Sequence, residues 1–230
     1  MQIEVQDIPL AENGDFLQGV IDPDKYYEHS AMSNSELGEL DQGRKDFDPT
    51  AAYAFGNLVD HLITEPEKVD VYKNTCNSDV FTGAQMQLGL AMKDAFMQDT
   101  VAMRIFSNSE YQTIMHKRLV HTIGKIEFTL DARCKWDLWM NGFGWGGDIK
   151  TTTATTQAQF EAACRFFHYP RQRFFYMTMG GSDKDMLIGI SKVNKKVFRI
   201  PIKKGDAFWN EGREDYERLV IEHWKMYGGI

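Results

Sequence analysis

The sequence predicts an α/β domain built on a mixed sheet, and three observations carry that prediction. Apolar residues at helical spacing fill the first half up to Gln98. From Tyr111 the period shortens to the alternation of strands. Beyond Thr152 the chain returns to helix, strand pair and a long last helix, an order that makes neighbouring strands run both ways.

Each element has a local reason. Residues 1–30 read as irregular and acidic, with an Asp-Pro-Asp turn at 22–24. Ser33-Asn-Ser-Glu36 is a capping box, so a short helix is expected over about Asn34–Leu40. Asp48-Pro49-Thr50 opens a second helix, about Ala51–Thr64, with Phe55, Leu58, Val59 and Leu62 as its apolar stripe and a stop before Glu65-Pro66. A Met-rich amphipathic helix is expected over about Thr82–Gln98, its methionines filling core gaps. Strands follow over Gln112–Val120, Lys125–Trp139 and Trp145–Thr151, joined by turns at Thr122-Ile-Gly124 and Asn141-Gly142. Gln157–Phe167 is helical, Tyr169-Pro170 breaks it, and Arg171–Met179 continues as another helix. Strands at Asp185–Lys192 and Val197–Lys203 precede a helix over Asp206–Tyr227, stopped by Gly228-Gly229. Phe208, Trp209 and Trp224 pack that helix on the sheet or line an oligomer contact. With no linker or repeat, residues 1–230 are expected to form one domain: an irregular segment to 30, a helical part over 31–110, and a core over 111–230.

Composition narrows the function. At 230 residues, 43% hydrophobic and 13% aromatic, the chain has the content of a folded protein. No apolar run approaches the roughly 18 residues that span a bilayer, and no secretory signal opens the chain. Cys76, Cys134 and Cys164 are too few and too scattered for a disulfide scaffold or a zinc ribbon, which points to a reducing, cytoplasmic compartment. The net charge of −7 argues against a nucleic-acid partner, but ten lysines and arginines lie between Arg165 and Lys204 against only Asp183 and Asp185. That basic stretch is either a phosphate-tracking surface or a solvated pair of lysine-rich strands.

The chemistry concentrates in Asp137-Leu-Trp-Met-Asn-Gly-Phe-Gly-Trp-Gly-Gly-Asp148-Ile-Lys150-Thr-Thr-Thr. On a strand Asp148 and Lys150 share a face and Ile149 takes the other. A two-residue II′ turn at Gly142-Phe143 would set Asp137 opposite Asp148, while a I′ turn at Asn141-Gly142 would shift the register. In the first register the carboxylates lie roughly 5 Å apart, a repulsion relieved by a proton or by a cation between them. A lysine and a hard metal such as Mg²⁺ resolve that conflict. Gln172 and Tyr176 share one helix face at i,i+4. His29, His116, His121, His168 and His223 show no ligand spacing.

His61 on its helix, Asp137, Asp148-Ile-Lys150-Thr-Thr, then Gln172-Arg-Phe-Phe-Tyr176 resemble, in that order, the PD-(D/E)XK nuclease superfamily. Within it the pattern looks like the RecE-type exonuclease domains of phages and prophages, relatives of RecB-type and lambda-type domains. The likeness runs from about Ser33 to the last helix, and departs from the signature at Trp136, where the family has proline. It implies a restriction-endonuclease-like core with a helical N-terminal elaboration. It makes Asp137, Asp148, the Ile149 carbonyl and His61 ligands of Mg²⁺ or Mn²⁺, with Lys150 acting on the attacking water as charge stabiliser or general base. Gln172, Tyr176, Arg171, Arg173 and Thr151 would hold DNA. The implied activity is a metal-dependent exodeoxyribonuclease resecting duplex ends for recombination, in an oligomer, beside a single-strand annealing protein, in the cytoplasm of a bacterial host. An endonuclease of the same superfamily and an inactive DNA-binding module are the alternatives.

Overall fold

The structure, a computed structural model, describes residues 1–8, 20–41, 50–70 and 81–227. Six strands form one sheet in the order of the chain: β1 Gln2–Asp7, β2 Glu110–Ile123, β3 Ile126–Met140, β4 Trp145–Thr152, β5 Lys184–Ser191 and β6 Val197–Lys203. All neighbours are antiparallel except β4 and β5, whose parallel pairing requires a crossover. Helices α5 (Gln157–Phe166) and α6 (Tyr169–Gly180) supply it. The sheet is therefore mixed and flanked by helices, as the alternation of periods predicts.

The helical part comprises α1 (Asn34–Leu40), α2 (Thr50–Thr64), α3 (Gly83–Gln98) and α4 (Thr100–Phe106), and α7 (Ala207–Tyr227) closes the chain. The expected capping box is present: Ser33 N–H donates to Glu36 Oε2 at 2.6 Å, and the Ser33 hydroxyl accepts from Glu36 N–H. Thr82 and Gln85 cap α3 in the same way. Asp48-Pro49, Cys76 and Gly228-Gly229 lie outside the described residues.

Among the described residues a strand and an α-helix escaped the sequence reading, as did the 3-10 helices Pro23–Glu28 and Pro66–Lys68. Gln2–Asp7 is an edge strand and not irregular, held by pairing with β2 and by the Asp7–Lys117 contact. Its outward side chains are polar, so burial leaves only a faint pattern. Helix α4 begins where Asp99 accepts from Val101 N–H and Ala102 N–H, a cap that the preceding helix masks in the sequence.

The two faces of the sheet bury different chemistry. Trp136, Phe174, Phe175, Tyr216 and Leu219 pack β3 against α6 and α7. Trp209 meets Phe174 and Trp224 meets Phe128, which seats the last helix as its aromatics suggest. Leu58, Val59, Met92, Leu138, Ile149 and Ile188 pack the opposite face against α2, α3 and α4.

The β3–β4 connection positions the site. The pairing is Met140 with Trp145, Trp139 with Gly146 and Leu138 with Gly147, the register that brings Asp137 toward Asp148. The turn that produces it differs from the expected two-residue II′ type. Asn141–Phe143 makes a 3-10 turn closed by Gly144 in the left-handed region, φ 63°. Gly146 must be glycine, since a Cβ there would lie 2.3 Å from the Leu138 carbonyl and 2.7 Å from the Trp136 ring.

Candidate active site

The ladder between β3 and β4 ends at Leu138 and Gly147. One residue further on, Asp137 Oδ2 accepts from Ile149 N–H at 2.8 Å, so a side chain replaces the missing backbone partner. In a strand the N–H and C=O of one residue project to the same edge. The Ile149 carbonyl is thereby directed to the Asp137 side of the strand, while its side chain packs in the α2–α4 core.

Asp148 is buried beneath two cations. Lys150 Nζ lies 2.6 Å from its Oδ2, and Arg173 Nη1 donates to its Oδ1 at 2.8 Å. Arg173 Nε also donates to buried Asp185, at 2.5 Å, and the guanidinium lies between the Trp136 and Tyr176 rings at 4.8 and 4.6 Å. Arg173 thus locks one oxygen of Asp148. The other takes the Lys150 ammonium. Burial works to lower the Lys150 pKa, but Asp148 and Asp137 outweigh it and hold the ammonium protonated.

A third carboxylate arrives from α2. At 100° per residue Asp60 shares a flank of that helix with Gly56 and Thr64, and Gly56 lies against Thr151 of β4. Asp60 Oδ2 accepts from Gln112 Nε2 at 2.8 Å, a side chain that also reaches Thr64 Oγ1 at 3.2 Å. Gln112 lies across β2 from Asp137 and has φ 52°, a left-handed conformation rare for residues with a Cβ. Such strain costs on the order of 1 kcal/mol and marks positions that other contacts over-determine.

Charge at this junction is not balanced. Burial raises the Asp137 carboxyl well above the usual range, and Asp60 and Asp148 push it further. Burial and the Asp148 charge raise Asp60 to about 6. Asp60, Asp137, Asp148 and the Ile149 carbonyl supply a set of oxygen donors at this junction, with Asp148 Oδ2 already paired to Lys150, and the ligand atoms of the three acids are not all within 4.8 Å of one another. That is the set a hard divalent cation takes, and its charge would relieve the repulsion.

The structure places the other residues read from the sequence as follows. His61 stands on the other flank of the α2 stripe, its Nε2 3.8 Å from Glu65 Oε2. Burial lowers its pKa, and the charges weighing on it are Glu65, Lys68, Lys135 and Glu67, not the strand carboxylates. Asp60, one residue earlier, is the α2 residue whose charge bears on Asp137. Adjacent helix residues point 100° apart, which sets His61 and Asp60 on different flanks of α2.

Arg173 is fully buried in its two ion pairs, and Arg171 is buried with Asp215 and Asn34, so neither side chain is open to DNA. Tyr176 is buried against Trp136. Gln172 is half-buried with an Oε1 that has no partner, and Thr151 is half-buried beside Gly56. The basic stretch is therefore divided: Arg165, Lys184, Lys196, Lys203 and Lys204 are exposed, whereas Arg171 and Arg173 are internal struts. Asp60, Gln112 and the Arg173–Asp185 strut were all missed from sequence. A signal existed for Asp60 alone, the i,i+4 relation to a glycine that lets α2 approach β4.

Residues 28–225 match the family described as a PDDEXK-like domain of unknown function, DUF3799. The chain belongs to this family. That membership gives it a PD-(D/E)XK-like domain and supports a nuclease of that superfamily, whose members use divalent metal ions. The fold is shared with the crystal structure of a candidate exonuclease from Eubacterium rectale, at a TM-score of 0.54 and 15% identity over 84% of this chain and 74% of that one. A phage-related exonuclease from Haemophilus somnus aligns more loosely, with a TM-score of 0.41 and 9% identity over 87% of this chain and 99% of that one. No curated protein matches the sequence. No helix among the described residues is long and apolar enough to cross a membrane.

Proposed function

We propose that the chain is a Mg²⁺- or Mn²⁺-dependent deoxyribonuclease that trims DNA ends by phosphodiester hydrolysis. The observation that carries this reading is the convergence of Asp60, Asp137 and Asp148 with Lys150 at the point where the β3–β4 ladder opens. Asp137, Asp148, the Ile149 carbonyl and Asp60 would hold the ion. Once bound, it supplies an acidified water and a positive charge for the phosphate oxygens.

The protein's own groups do the rest. Arg173 fixes Asp148 through Oδ1 and leaves Oδ2 facing the junction. Lys150, held protonated and 2.6 Å from that oxygen, places a positive charge where charge develops on the transferring phosphate. That favours charge stabilisation over general-base work. Gln112 orients Asp60, and the apolar packing of Ile149 fixes the strand that carries both Asp148 and Lys150.

The exonuclease choice follows the resemblance of the motifs, as does a role in recombination beside an annealing protein and in an oligomer. Digestion of end-labelled linear duplex against closed circular duplex, with and without EDTA, tests it. Shortening of the linear DNA alone, abolished by EDTA, is expected. Internal cuts in the circle would make the enzyme an endonuclease, and no cleavage of either with Mg²⁺ or Mn²⁺ would overturn the nuclease reading.

A further inference from the structure

Lys135 precedes Asp137 by two residues on β3, a step of about 6.6 Å along the strand. Its Nζ lies 5.3 Å from the centre of the Tyr27 ring and 5.6 Å from that of Tyr26. Tyr26 is buried, yet Tyr27 is 77% exposed, its ring edge-on to Tyr26 at 5.1 Å.

The segment bearing these rings is anchored. Arg133 Nη1 donates to the Tyr26 carbonyl and its Nε to the His29 carbonyl, while Met32 pairs with β3 through Asp131 and Arg133. Tyr27 is therefore a fixed, open aromatic face beside a lysine. A second lysine–aromatic pair adjoins Asp148: Lys150 Nζ lies 5.0 Å from the half-buried Tyr169 ring. Tyr53, 68% exposed on α2, is near enough to bear on the Tyr169 hydroxyl.

Aromatic faces paired with lysines are the combination that takes unpaired nucleotides, the ring stacking a base and the ammonium meeting a phosphate. An intact duplex cannot use them, because its bases are already stacked on one another. We infer that Tyr27 and Lys135 form a subsite for an unpaired nucleotide next to the hydrolytic centre, so that the chain acts on single-stranded or frayed DNA ends. This rests on the nuclease reading above.

Fluorescence anisotropy with a labelled oligo-dT and with a blunt duplex of equal length, in Ca²⁺, tests it. Tyr27→Ala is expected to weaken oligo-dT binding about tenfold and Tyr27→Phe less than about twofold. Lys135→Ala should weaken it and make the salt dependence shallower by about 0.7 in log–log slope. Duplex affinity should not respond to Tyr27→Ala. Unchanged oligo-dT affinity in Tyr27→Ala, or an equal loss on both DNAs, overturns the subsite. Hydrolysis of bis(p-nitrophenyl) phosphate with Mn²⁺ separates the two readings, since this small diester needs the metal site and not the ring. Wild-type activity retained in Tyr27→Ala supports the subsite, and equal loss on diester and oligo-dT counts against it. A wild type inert on the diester and on DNA removes the nuclease reading, and the binding result still decides the subsite.

Discussion

Two acidic clusters in this molecule have similar composition and opposite electrostatics. Asp41, His168 and Asp215 bring their ligand atoms within 4.8 Å of one another, a group compact enough to hold a metal. Arg171 Nη1 and Arg218 Nη2 already occupy Asp215, at 3.0 and 2.7 Å, and Arg218 also reaches Asp41 at 3.4 Å. Burial acts to raise the Asp215 pKa, but Arg171, Arg218 and His168 outweigh it and hold it below the usual carboxylate range. At the Asp60, Asp137 and Asp148 junction the balance is reversed. There burial and mutual repulsion raise Asp137 and Asp60, and the two cations present are both spent on Asp148. Charge left uncompensated, and not the tightness of the cluster, separates a site awaiting a cation from a satisfied ion-pair network.

The sharpest way to break this contrast is to remove one acid from each cluster. Asp137→Asn is expected to lower DNA hydrolysis by on the order of 10³-fold with the circular dichroism spectrum unchanged. Asp215→Asn should leave hydrolysis within about threefold. Equal losses in the two variants, on matched DNA and Mg²⁺, would erase the distinction.

Stability should separate the clusters by sign. Asp215→Asn leaves buried Arg171 short of its partner and should cost about 2 kcal/mol in urea unfolding. Asp60→Asn removes one of three repelling acids and should stabilise the metal-free protein by on the order of 1 kcal/mol. A destabilised Asp60→Asn would show that the junction is balanced by something other than a cation.

A pH effect serves as a control away from both clusters. Buried His121 bonds Tyr216 at 2.9 Å, its Nδ1 has no partner, and burial depresses its pKa to about 4. Folding thus favours the neutral ring. Its contribution is fully present above the ordinary histidine pKa and is lost as pH falls from about 6.5 toward 4, by about 3 kcal/mol in all. Urea unfolding of His121→Gln across that range should show a flatter pH dependence than wild type. Parallel curves would place the acid sensitivity elsewhere.

The sequence made the strands legible because alternation is strong where one face is buried, as Phe128, Leu130, Ala132, Cys134 and Trp136 show. It left the turn undecided, since Asn141-Gly142 and Gly142-Phe143 each suit a tight hairpin, and the chain chose a longer turn ending at Gly144. Asp137, Asp148 and Lys150 were readable from strand parity. Arg171 and Arg173 were not, because a count of charges is blind to whether a guanidinium faces water or a buried aspartate. Asp60 and Gln112 depend on a contact between α2 and β2 separated by 52 residues, which no local pattern encodes.

The central claim is that the Asp60, Asp137 and Asp148 junction lacks a positive charge that a divalent ion supplies. Calorimetric titration of the DNA-free protein with Mn²⁺ measures this directly, on wild type, Asp137→Asn and Asp215→Asn. Binding that is lost in Asp137→Asn and kept in Asp215→Asn is the expected result. Binding kept in Asp137→Asn and lost in Asp215→Asn would move the metal to the arginine-bound cluster and contradict the account.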